Sequence, residues 1–376
     1  MKSQLYSTAK FLLDSTIGTL ASWLPPLRPA RQLASFAPPP TYQPTLPVNM
    51  AHLTGPLEQG FRQPVTYHEY HVAELTNVFV SWDGAVFKNL RLFPGSIVHQ
   101  RFIRRFQDTF LLRQWFGAKV RLPPSAPGVV VAHDQWSAGN YYHWLVDTLP
   151  RLLLVERAYP QHLLLLPAPL PPRHTPDYVT GSAKALGFSH FFPLNTRQIL
   201  HARQVIVPEL TAESLYQDPA LIRRVREILL AKLSLVRSGR QRRIYASRST
   251  QSVRRVANED ELLPLLLAQG FEIIHFEKLS FLEQVSLLNE TSIFAGVHGA
   301  NMTNLLFLPP GAAVVELLSA AHGDLCYFRL ASCAGQPYYC VPCAPTHPEL
   351  HNQSDLTVEV DFVARTLASL PPLAAQ

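Results

Sequence analysis

A histidine and an aspartate stand four residues apart in the stretch Asn140-Tyr-Tyr-His143-Trp-Leu-Val-Asp147. Asn140 is a favourable helix N-cap, and a helix that begins there places His143 and Asp147 on one face. A histidine and a carboxylate in this arrangement can deprotonate a substrate hydroxyl. The alternative is a local pair that only stabilises the helix. Pro150, inside the same helix, predicts a kink or an early end.

A guanidinium group and several hydroxyl groups follow the strand predicted at residues 243–246. They lie in the sequence Ser247-Arg248-Ser249-Thr250. The guanidinium of Arg248 can bind two oxygens of a diphosphate at once, and neighbouring hydroxyls can add hydrogen bonds. The alternative is a basic loop that is only solvated.

A third candidate is the stretch Phe294–Phe307, in which a buried strand runs through His298 and Gly299 into a short helix. Free N–H groups and the positive dipole at such a helix start bind anions, most often phosphate. Glu316 ends the next predicted strand, where a carboxylate can bind the two hydroxyls of a ribose. The alternatives are an ordinary strand-to-helix turn and, for Glu316, a salt bridge.

The composition indicates a globular protein with room for two domains. The chain has 376 residues, of which 47% are hydrophobic and 16% are charged, so it is neither disordered nor too short for two cores. The formal net charge of +6 is spread over short groups, and no nucleic-acid recognition motif accompanies it. An anionic sugar nucleotide or an anionic membrane surface explains this charge as well.

The cysteine spacing and the hydropathy give expectations about metals and location. The cysteines are Cys326, Cys333, Cys340 and Cys343. The last two have C-x-x-C spacing without a second close pair, so we expect buried, reduced thiols rather than a zinc site. No run of about 18 apolar residues predicts a membrane span, and no clear signal peptide is present. We therefore expect a cytoplasmic protein.

Four regions are expected to position the candidate residues. The sequence of residues 1–58 predicts an amphipathic helix over residues 4–24, followed by a Pro-rich linker. Residues 59–237 predict a β-rich segment followed by an α/β domain. Residues 238–345 alternate strands and helices, which indicates a parallel, doubly wound sheet. Residues 346–376 are expected to form a tail that packs back.

Helix-start signals support the alternation in the third region. Capping boxes are predicted at Asn258 with Glu261 and at Ser280 with Glu283. Both phosphate-binding candidates follow predicted strands of this region. Ligands bind at the carboxyl ends of the strands in such sheets, so we expect the two candidates to lie at one edge.

Five motifs, in order, resemble glycosyltransferase family 61: Asn140-x-x-His143-x-x-x-Asp147-x-Leu-Pro150, Ser247-Arg248-Ser249-Thr250, Asn258-Glu-Asp-Glu-Leu262, His298-Gly-Ala-x-x-Thr-Asn-Leu-Leu-Phe307 and Val315-Glu316-Leu317. The similarity extends from about Val129 to Val341. The family includes bacterial capsular and exopolysaccharide enzymes, plant xylosyl- and arabinosyltransferases, and animal O-linked N-acetylglucosamine transferases. We expect the bacterial capsular type.

The resemblance implies an α/β protein of GT-B fold, with two Rossmann-like domains facing a cleft and the donor held by the C-terminal domain. It implies inverting transfer from a nucleotide sugar, without an essential metal or other cofactor. Asp147 would be the general base, with His143 near the acceptor or supporting the base. The residues implied in donor binding are Ser247, Arg248, Ser249, His298, Gly299, Ala300, Thr303, Asn304 and Glu316.

Each implied role has a chemical reason. Arg248 would hold the diphosphate, and the helix that begins after His298 would stabilise the leaving nucleotide. Glu316 would contact the ribose. One departure from the family pattern concerns the loop after His-Gly-Ala, where Gly-Leu is common and Asn301 and Met302 stand here. Asn301 lacks the backbone freedom of glycine, so we expect an effect on the phosphate-binding turn or on the sugar preference.

The expected partners are a nucleotide sugar and a glycan or lipid-linked oligosaccharide acceptor in surface polysaccharide biosynthesis. No nucleic acid is expected, and peripheral contact with the inner face of the membrane stays open. Two alternatives remain. A sugar-nucleotide epimerase of the same architecture would need no acceptor, and an inactive glycan- or nucleotide-binding module would show no turnover.

Overall fold

The computed structural model describes residues 24–36, 41–67, 69–98, 118–170, 174–209, 217–233, 239, 241–321 and 323–370. The helix predicted over residues 4–24 lies outside them, except for its last residue. The chain divides into two compact units, Met1–Pro38 with His68–Ser214 and Pro39–Tyr67 with Leu215–Gln376. None of the helices among the described residues combines the length and the apolar character that crossing a membrane requires.

The elements confirm the α/β class. The strands are β1 (Arg31–Phe36), β2 (Thr41–Tyr42), β3 (Val65–Thr66), β4 (Tyr70–Ser81), β5 (Val86–Lys88), β6 (Arg91–Leu92), β7 (Ala118–Arg121), β8 (Val129–Val130), β9 (Leu163–Ala168), β10 (Phe191–Asn195), β11 (Gln198–Pro208), β12 (Arg242–Ala246), β13 (Phe271–Ile274), β14 (Thr291–Val297), β15 (Ala313–Ser319), β16 (Tyr338–Pro345) and β17 (Leu356–Thr357). The α-helices are α1 (Pro56–Phe61), α2 (Tyr141–His143), α3 (Leu149–Leu153), α4 (Asp177–Ala185), α5 (Pro219–Lys232), α6 (Glu259–Ala268), α7 (Phe281–Asn289), α8 (Cys326–Ala334) and α9 (Val360–Ala368). A π-helical segment, Trp144–Thr148, joins α2 to α3, and Ala300–Phe307 is a 3-10 helix.

The first unit is built on a mixed sheet of order β10-β9-β8-β11-β4-β5-β6, with β1 beside β4 and β7 beside β11. The strands from β10 to β11 run parallel to their neighbours, whereas β11, β4, β5 and β6 are antiparallel neighbours. A hairpin turn that contains Asp83 and Gly84 joins β4 to β5. Only the parallel half has the Rossmann-like arrangement that was expected, because the long strand β4 pairs along β11 in the opposite direction.

Part of the predicted Pro-rich linker is a strand instead. β1 pairs antiparallel with β4, and the rings of Phe36 and Tyr70 stack 5.7 Å apart. Proline cannot donate a hydrogen bond within a sheet. The segment Arg31–Phe36 contains no proline, so its backbone is free to pair even though prolines flank it.

The second unit contains the parallel, doubly wound sheet that was predicted. Its order is β13-β12-β14-β15-β16-β17. The first five strands are parallel, and β17 runs antiparallel to β16. β15 is buried along its whole length, as expected for a parallel strand covered on both faces. Residues of the tail, including Leu356, Val363 and Leu367, pack in the core of this unit, so the tail does fold back.

The division between the units differs from the expected one in two places. The segment Pro39–Tyr67 belongs to the second unit, where the ring of Phe61 packs edge-on against Phe328 at 4.7 Å. Helix α5 was expected in the first domain, before a boundary at 237–238. It belongs to the second unit instead, because it packs against α8 and Arg226 donates a hydrogen bond to the carbonyl of Leu308. The boundary falls between residues 214 and 215.

One predicted capping box is confirmed and the other is wrong. Ser280 Oγ accepts from the N–H of Glu283, whose carboxylate accepts from the N–H of Ser280. The side chain of Asn258 instead exchanges hydrogen bonds with the backbone of Val358 in the tail. A contact 100 residues away in the chain therefore overrides the local helix-start signal.

Candidate active site

Asn140 begins the helix that carries the predicted base. Its side-chain oxygen accepts hydrogen bonds from the N–H groups of Tyr142 and His143, which satisfies two donors that a helix start leaves open. Nδ1 of His143 lies 2.6 Å from Oδ2 of Asp147, so the predicted pair is formed. The side chain of His143 is 14% exposed and that of Asp147 is 13% exposed, which leaves both partly open to a ligand.

The helix changes its winding at Asp147. The segment Trp144–Thr148 is π-helical, and the N–H of Leu149 bonds to the carbonyl of Trp144, five residues earlier. Pro150 follows at the start of α3. Because proline has no N–H, it cannot supply the bond that would continue an α-helix through this point. The helix runs on to Leu153 through a wider turn rather than ending early, and such π-helical turns are frequent at functional sites.

A buried ion pair near Asp147 was missed in the sequence. Nη1 of Arg151 lies 3.4 Å from Oδ2 of Asp134, and each side chain is 1% exposed. Arg151 also donates from Nε to the carbonyl of Pro208, and Asp134 accepts from the N–H of Trp136. No spacing in the sequence points to this pair, because Asp134 and Arg151 are 17 positions apart.

The surroundings of Asp147 favour a role as a base. Burial raises the pKa of Asp147 above the usual range, and the hydrogen bond with His143 opposes this. Smaller effects come from Asp134, which raises this pKa, and from Arg151, which lowers it. A carboxylate with a raised pKa is a stronger base, which suits proton removal from a hydroxyl. The ring of Trp136 packs 4.9 Å from that of His143 and restricts the imidazole.

In the second unit, residues from two separate motifs meet. Arg248 follows β12 and Gly299 follows β14, and these strands are parallel neighbours. A Cβ atom at Gly299 would lie 2.6 Å from Nη1 of Arg248. Arg248 is held in place because Nε and Nη2 donate to the carbonyl groups of Arg254 and Val253. Position 299 needs glycine because a side chain would collide with Arg248. The backbone conformation does not require glycine, since a φ of 166° is open to any residue.

A second arginine, Arg254, follows Arg248 in the same loop and lies beside it. Arg254 has a φ of 57°, in the left-handed region that side chains other than glycine rarely adopt. Burial lowers the pKa of Arg248, and the charge of Arg254 lowers it further. Arg255 pairs with Asp355 at 2.7 Å, whereas neither Arg248 nor Arg254 forms an ion pair with a carboxylate of the described residues. The charges of Glu277 and Asp355 act on Arg248 from farther away. Two neighbouring guanidinium groups without a close carboxylate among the described residues favour an anion with several negative charges.

His298 is oriented by a buried carboxylate. Its Nδ1 lies 2.6 Å from Oε1 of Glu316, and the hydroxyl of Tyr338 donates to Oε2, also at 2.6 Å. Glu316 is fully buried and both of its carboxylate oxygens have a partner, and its expected contact with a ribose stays a prediction. A histidine held through Nδ1 has a fixed ring orientation and keeps Nε2 for another partner. The ring of Tyr327 packs edge-on 5.0 Å from that of His298.

The serines that flank Arg248 differ in exposure. Ser247 is 1% exposed and donates to the carboxylate of Glu259. Its oxygen also accepts from the N–H of Ser249, which shapes the turn after β12. Ser249 itself is exposed. Ser247 therefore supports the loop, and the donor contact expected of it stays a prediction.

Most of the short helix after Gly299 is core. Thr303 and Asn304 are fully buried, and Asn304 donates to the side chain of Gln284. Met302, at the departure from the family pattern, is also fully buried. Only Ala300 and Asn301, at the start of the helix, are partly open to solvent. Direct donor contacts from Thr303 and Asn304 stay predictions.

One group of side chains in the second unit has the composition of a set of metal ligands. A ring nitrogen of His298, a carboxylate oxygen of Asp324 and the thiol of Cys326 lie within 4.8 Å of one another. Asp324 also accepts from the N–H of Cys326, so capping of α8 explains its position without a metal. The four cysteines are buried and free, as expected, and the C-x-x-C pair is not part of this group.

Residues 141–315 match the sequence model of the family Glycosyltransferase 61. This stretch covers less than half of the chain, and it includes His143, Asp147, Arg248 and His298. It ends one residue before Glu316. The match supports family 61 for the part of the chain that holds both candidate sites.

Several curated transferases are similar to this chain. The EGF domain-specific O-linked N-acetylglucosamine transferase of Mus musculus is 35% identical over 131 residues, which are 32% of this chain and 24% of that protein. The Drosophila melanogaster protein of the same name is 37% identical over 127 residues, with the same shares. Protein O-linked-mannose beta-1,4-N-acetylglucosaminyltransferase 2 of Tetraodon nigroviridis is 34% identical over 106 residues, 27% of this chain and 18% of that protein.

These relatives support the assignment of the chain as a glycosyltransferase, but the similarity covers only a part of each protein. The similar region spans about a quarter of the length of the mouse and Drosophila relatives. All three are animal proteins, so they give no support to the expected bacterial capsular type.

Proposed function

We propose that this protein is an inverting glycosyltransferase that moves a sugar from a nucleotide sugar to a hydroxyl of a glycan or protein acceptor. The observation that carries the proposal is the packing of Arg248 against Gly299, beside Arg254, within the stretch that matches the family. Two guanidinium groups without carboxylate partners, at the carboxyl ends of parallel strands, suit the diphosphate of a donor. GT-B architecture is part of this proposal.

The reaction would be a single displacement at the anomeric carbon. Asp147 would take the proton of the acceptor hydroxyl, and that oxygen would form a bond to the anomeric carbon. The bond between this carbon and the diphosphate oxygen would break at the same time, which inverts the configuration. His143 would position the carboxylate of Asp147 through their 2.6 Å hydrogen bond.

The second unit would stabilise the charge that develops on the leaving group. Arg248 and Arg254 would bind the phosphate oxygens, and the N–H groups at the start of the helix Ala300–Phe307 would add to them. Nε2 of His298 would face the same oxygens, with the ring held by Glu316. Fixed charges of this kind stabilise a diphosphate without a metal, so we propose a metal-independent reaction.

The names of the related transferases indicate which substrates to test first. Their names include N-acetylglucosamine transfer to EGF domains and to O-linked mannose, so nucleotide-linked N-acetylglucosamine is the first donor to test. A glycan acceptor is preferred to a protein domain as the first acceptor class. A cytoplasmic location and peripheral membrane contact stay part of the proposal.

The test is a donor screen followed by product analysis. Thermal shift with a panel of nucleotides and nucleotide sugars should give a selective stabilisation, because a ligand that binds only the folded state raises its stability. The preferred donor is then incubated with glycan acceptors, and NMR of the product reads the anomeric configuration. Retention of configuration, or sugar-nucleotide interconversion without an acceptor, would contradict the proposal.

A further inference from the structure

A cavity of about 640 Å³ lies in the first unit. Its lining includes Trp82, Gly139, Pro169, His174, Tyr178 and Thr196. Gly139 comes from the loop after β8, Pro169 from the loop after β9 and Thr196 from the turn after β10. These three strands are parallel neighbours, and their carboxyl ends form the edge at which α/β sheets bind ligands.

The lining chemistry favours an uncharged ligand. Among the lining residues that the structure describes, none is Asp, Glu, Lys or Arg. The polar side chains are His174, Thr196 and the hydroxyl of Tyr178, and the rings of Trp82 and Tyr178 supply aromatic surface. The volume is within the range of pockets that bind small organic ligands. Flat aromatic rings with a few hydrogen-bonding groups suit a sugar, whose C–H face packs on rings while its hydroxyls find polar partners.

The cavity wall is tied to the helix of the candidate base. Tyr178 packs edge-on against Tyr141, with ring centres 4.9 Å apart, and Tyr141 precedes His143 by two residues. Nε1 of Trp144 donates to Oγ of Ser182 at 2.9 Å, which fixes α4, with Tyr178 at its start, against the same helix. Burial raises the pKa of Tyr178 to about 12, so its hydroxyl stays protonated at neutral pH. These contacts hold the aromatic wall against the helix that Asn140 caps.

We propose that this cavity binds one or two neutral sugar units of the acceptor. The inference rests on the proposed function and names the acceptor class for it: an uncharged carbohydrate, rather than an anionic glycan or a lipid chain. Trp82 and Tyr178 form the stacking surface, and His174 and Thr196 bind ring hydroxyls. The bound sugar supplies the hydroxyl that Asp147 deprotonates.

The test uses the full chain and neutral sugars as probes. Saturation-transfer NMR is run with methyl α- and β-glycosides of glucose, mannose and N-acetylglucosamine, and with their disaccharides. We expect transfer to the C–H protons of one ring face for at least one probe. Trp82→Ala and Tyr178→Ala should each weaken its binding by about tenfold. Tyr159→Ala, which removes an aromatic ring of the same unit outside the cavity, is the matched control and should change nothing.

Further variants guard against misfolding. His174 is exposed, so His174→Ala is expected to fold normally and to weaken binding through one lost hydrogen bond. The proposal is overturned if no neutral sugar binds at millimolar concentration, or if the cavity variants bind as well as the unchanged chain. It is also overturned if a nucleoside or an alkyl detergent, and no sugar, binds in a way that depends on Trp82.

The outcome can be separated from failure of the proposed function. Cavity variants should raise the KM for the acceptor and leave the binding of nucleoside diphosphates unchanged. The proposed function would instead fail if the protein did not bind nucleoside diphosphates, or if it bound them equally well after Arg254 was replaced. If Trp82→Ala and His174→Ala still transfer sugar with an unchanged KM for the acceptor, the protein is a glycosyltransferase but the cavity does not bind the acceptor.

Discussion

The guanidinium of Arg248 fills the space that a side chain at Gly299 would need, because a Cβ there would lie 2.6 Å from Nη1 and 3.2 Å from Cζ. Arg248 is 7% exposed and anchored by two carbonyl groups, so it has little room to move aside. The contact joins two motifs that are 51 positions apart in the sequence, at 248 and 299. The contact explains why the loop after β14 has a glycine at position 299, which the backbone conformation alone does not explain.

Replacement Gly299→Ala should displace Arg248 and weaken donor binding. We expect the KM for the nucleotide sugar to rise by about 10- to 100-fold, the scale of losing one well-placed charged contact, with little change in Tm. Steady-state kinetics and thermal unfolding measure the two effects. Because Arg248→Lys acts on the same contact, the double variant should lose less than the sum of the single losses. Full activity in Gly299→Ala would refute the role assigned to this contact.

Arg254 should contribute to diphosphate binding, whereas its neighbour Arg255 should not. Arg254→Gln removes a charge that has no ion-pair partner among the described residues, so we expect at least about tenfold weaker binding of a nucleoside diphosphate and a smaller dependence on salt. Arg255→Gln is the matched control, because Arg255 is already paired with Asp355. Calorimetry at two salt concentrations makes the comparison. Equal losses in both variants would show that only the overall charge matters.

Asp147 should govern the acid side of the pH profile. Asp147→Asn is expected to lower kcat by about 10²- to 10⁴-fold with little effect on the donor KM, as for loss of a general base. Burial raises the pKa of this carboxyl, and a base must be deprotonated to act. Activity should therefore fall, as the pH is lowered, at a pH above the ordinary range of an aspartate. A profile that is flat through this region would assign the base elsewhere.

Glu316 should act through His298 and not through a ribose. Glu316→Gln and Tyr338→Phe both disturb the carboxylate that holds Nδ1 of His298. We expect each variant to weaken the binding of inorganic pyrophosphate and of nucleoside diphosphate by similar factors. A ribose contact predicts a loss for the nucleoside diphosphate alone. Calorimetry with both ligands decides between the two roles.

Removal of divalent cations should leave the activity unchanged. The proposed diphosphate site relies on Arg248, Arg254 and backbone N–H groups, which need no metal. Transferase assays in excess chelator, with and without added Mg²⁺, Mn²⁺ or Zn²⁺, provide the measurement. If activity is lost and then restored by one cation, the group of His298, Asp324 and Cys326 becomes the site to examine, with Asp324→Asn as the first variant.

The sequence by itself determined the features that depend on neighbours in the chain. Asn140 caps the helix and His143 bonds to Asp147, as predicted, because a spacing of four residues brings side chains together wherever a helix forms. The alternation of strands and helices after residue 238 was likewise readable, since the apolar runs of buried parallel strands stand out from the polar loops between them. The capping box at Ser280 was also predictable from the sequence, because its two residues are three positions apart.

Only the tertiary structure decided features whose partners lie far apart in the chain. The hydrogen bonds of buried Glu316 to His298 and Tyr338 were visible only in the tertiary structure. The side chain of Asn258 was diverted from its helix by the tail. The buried Asp134–Arg151 pair was missed because no local pattern shows which charges lose contact with water. Burial and long-range hydrogen bonds arise from packing between strands and helices, and the spacing of residue types does not encode them directly.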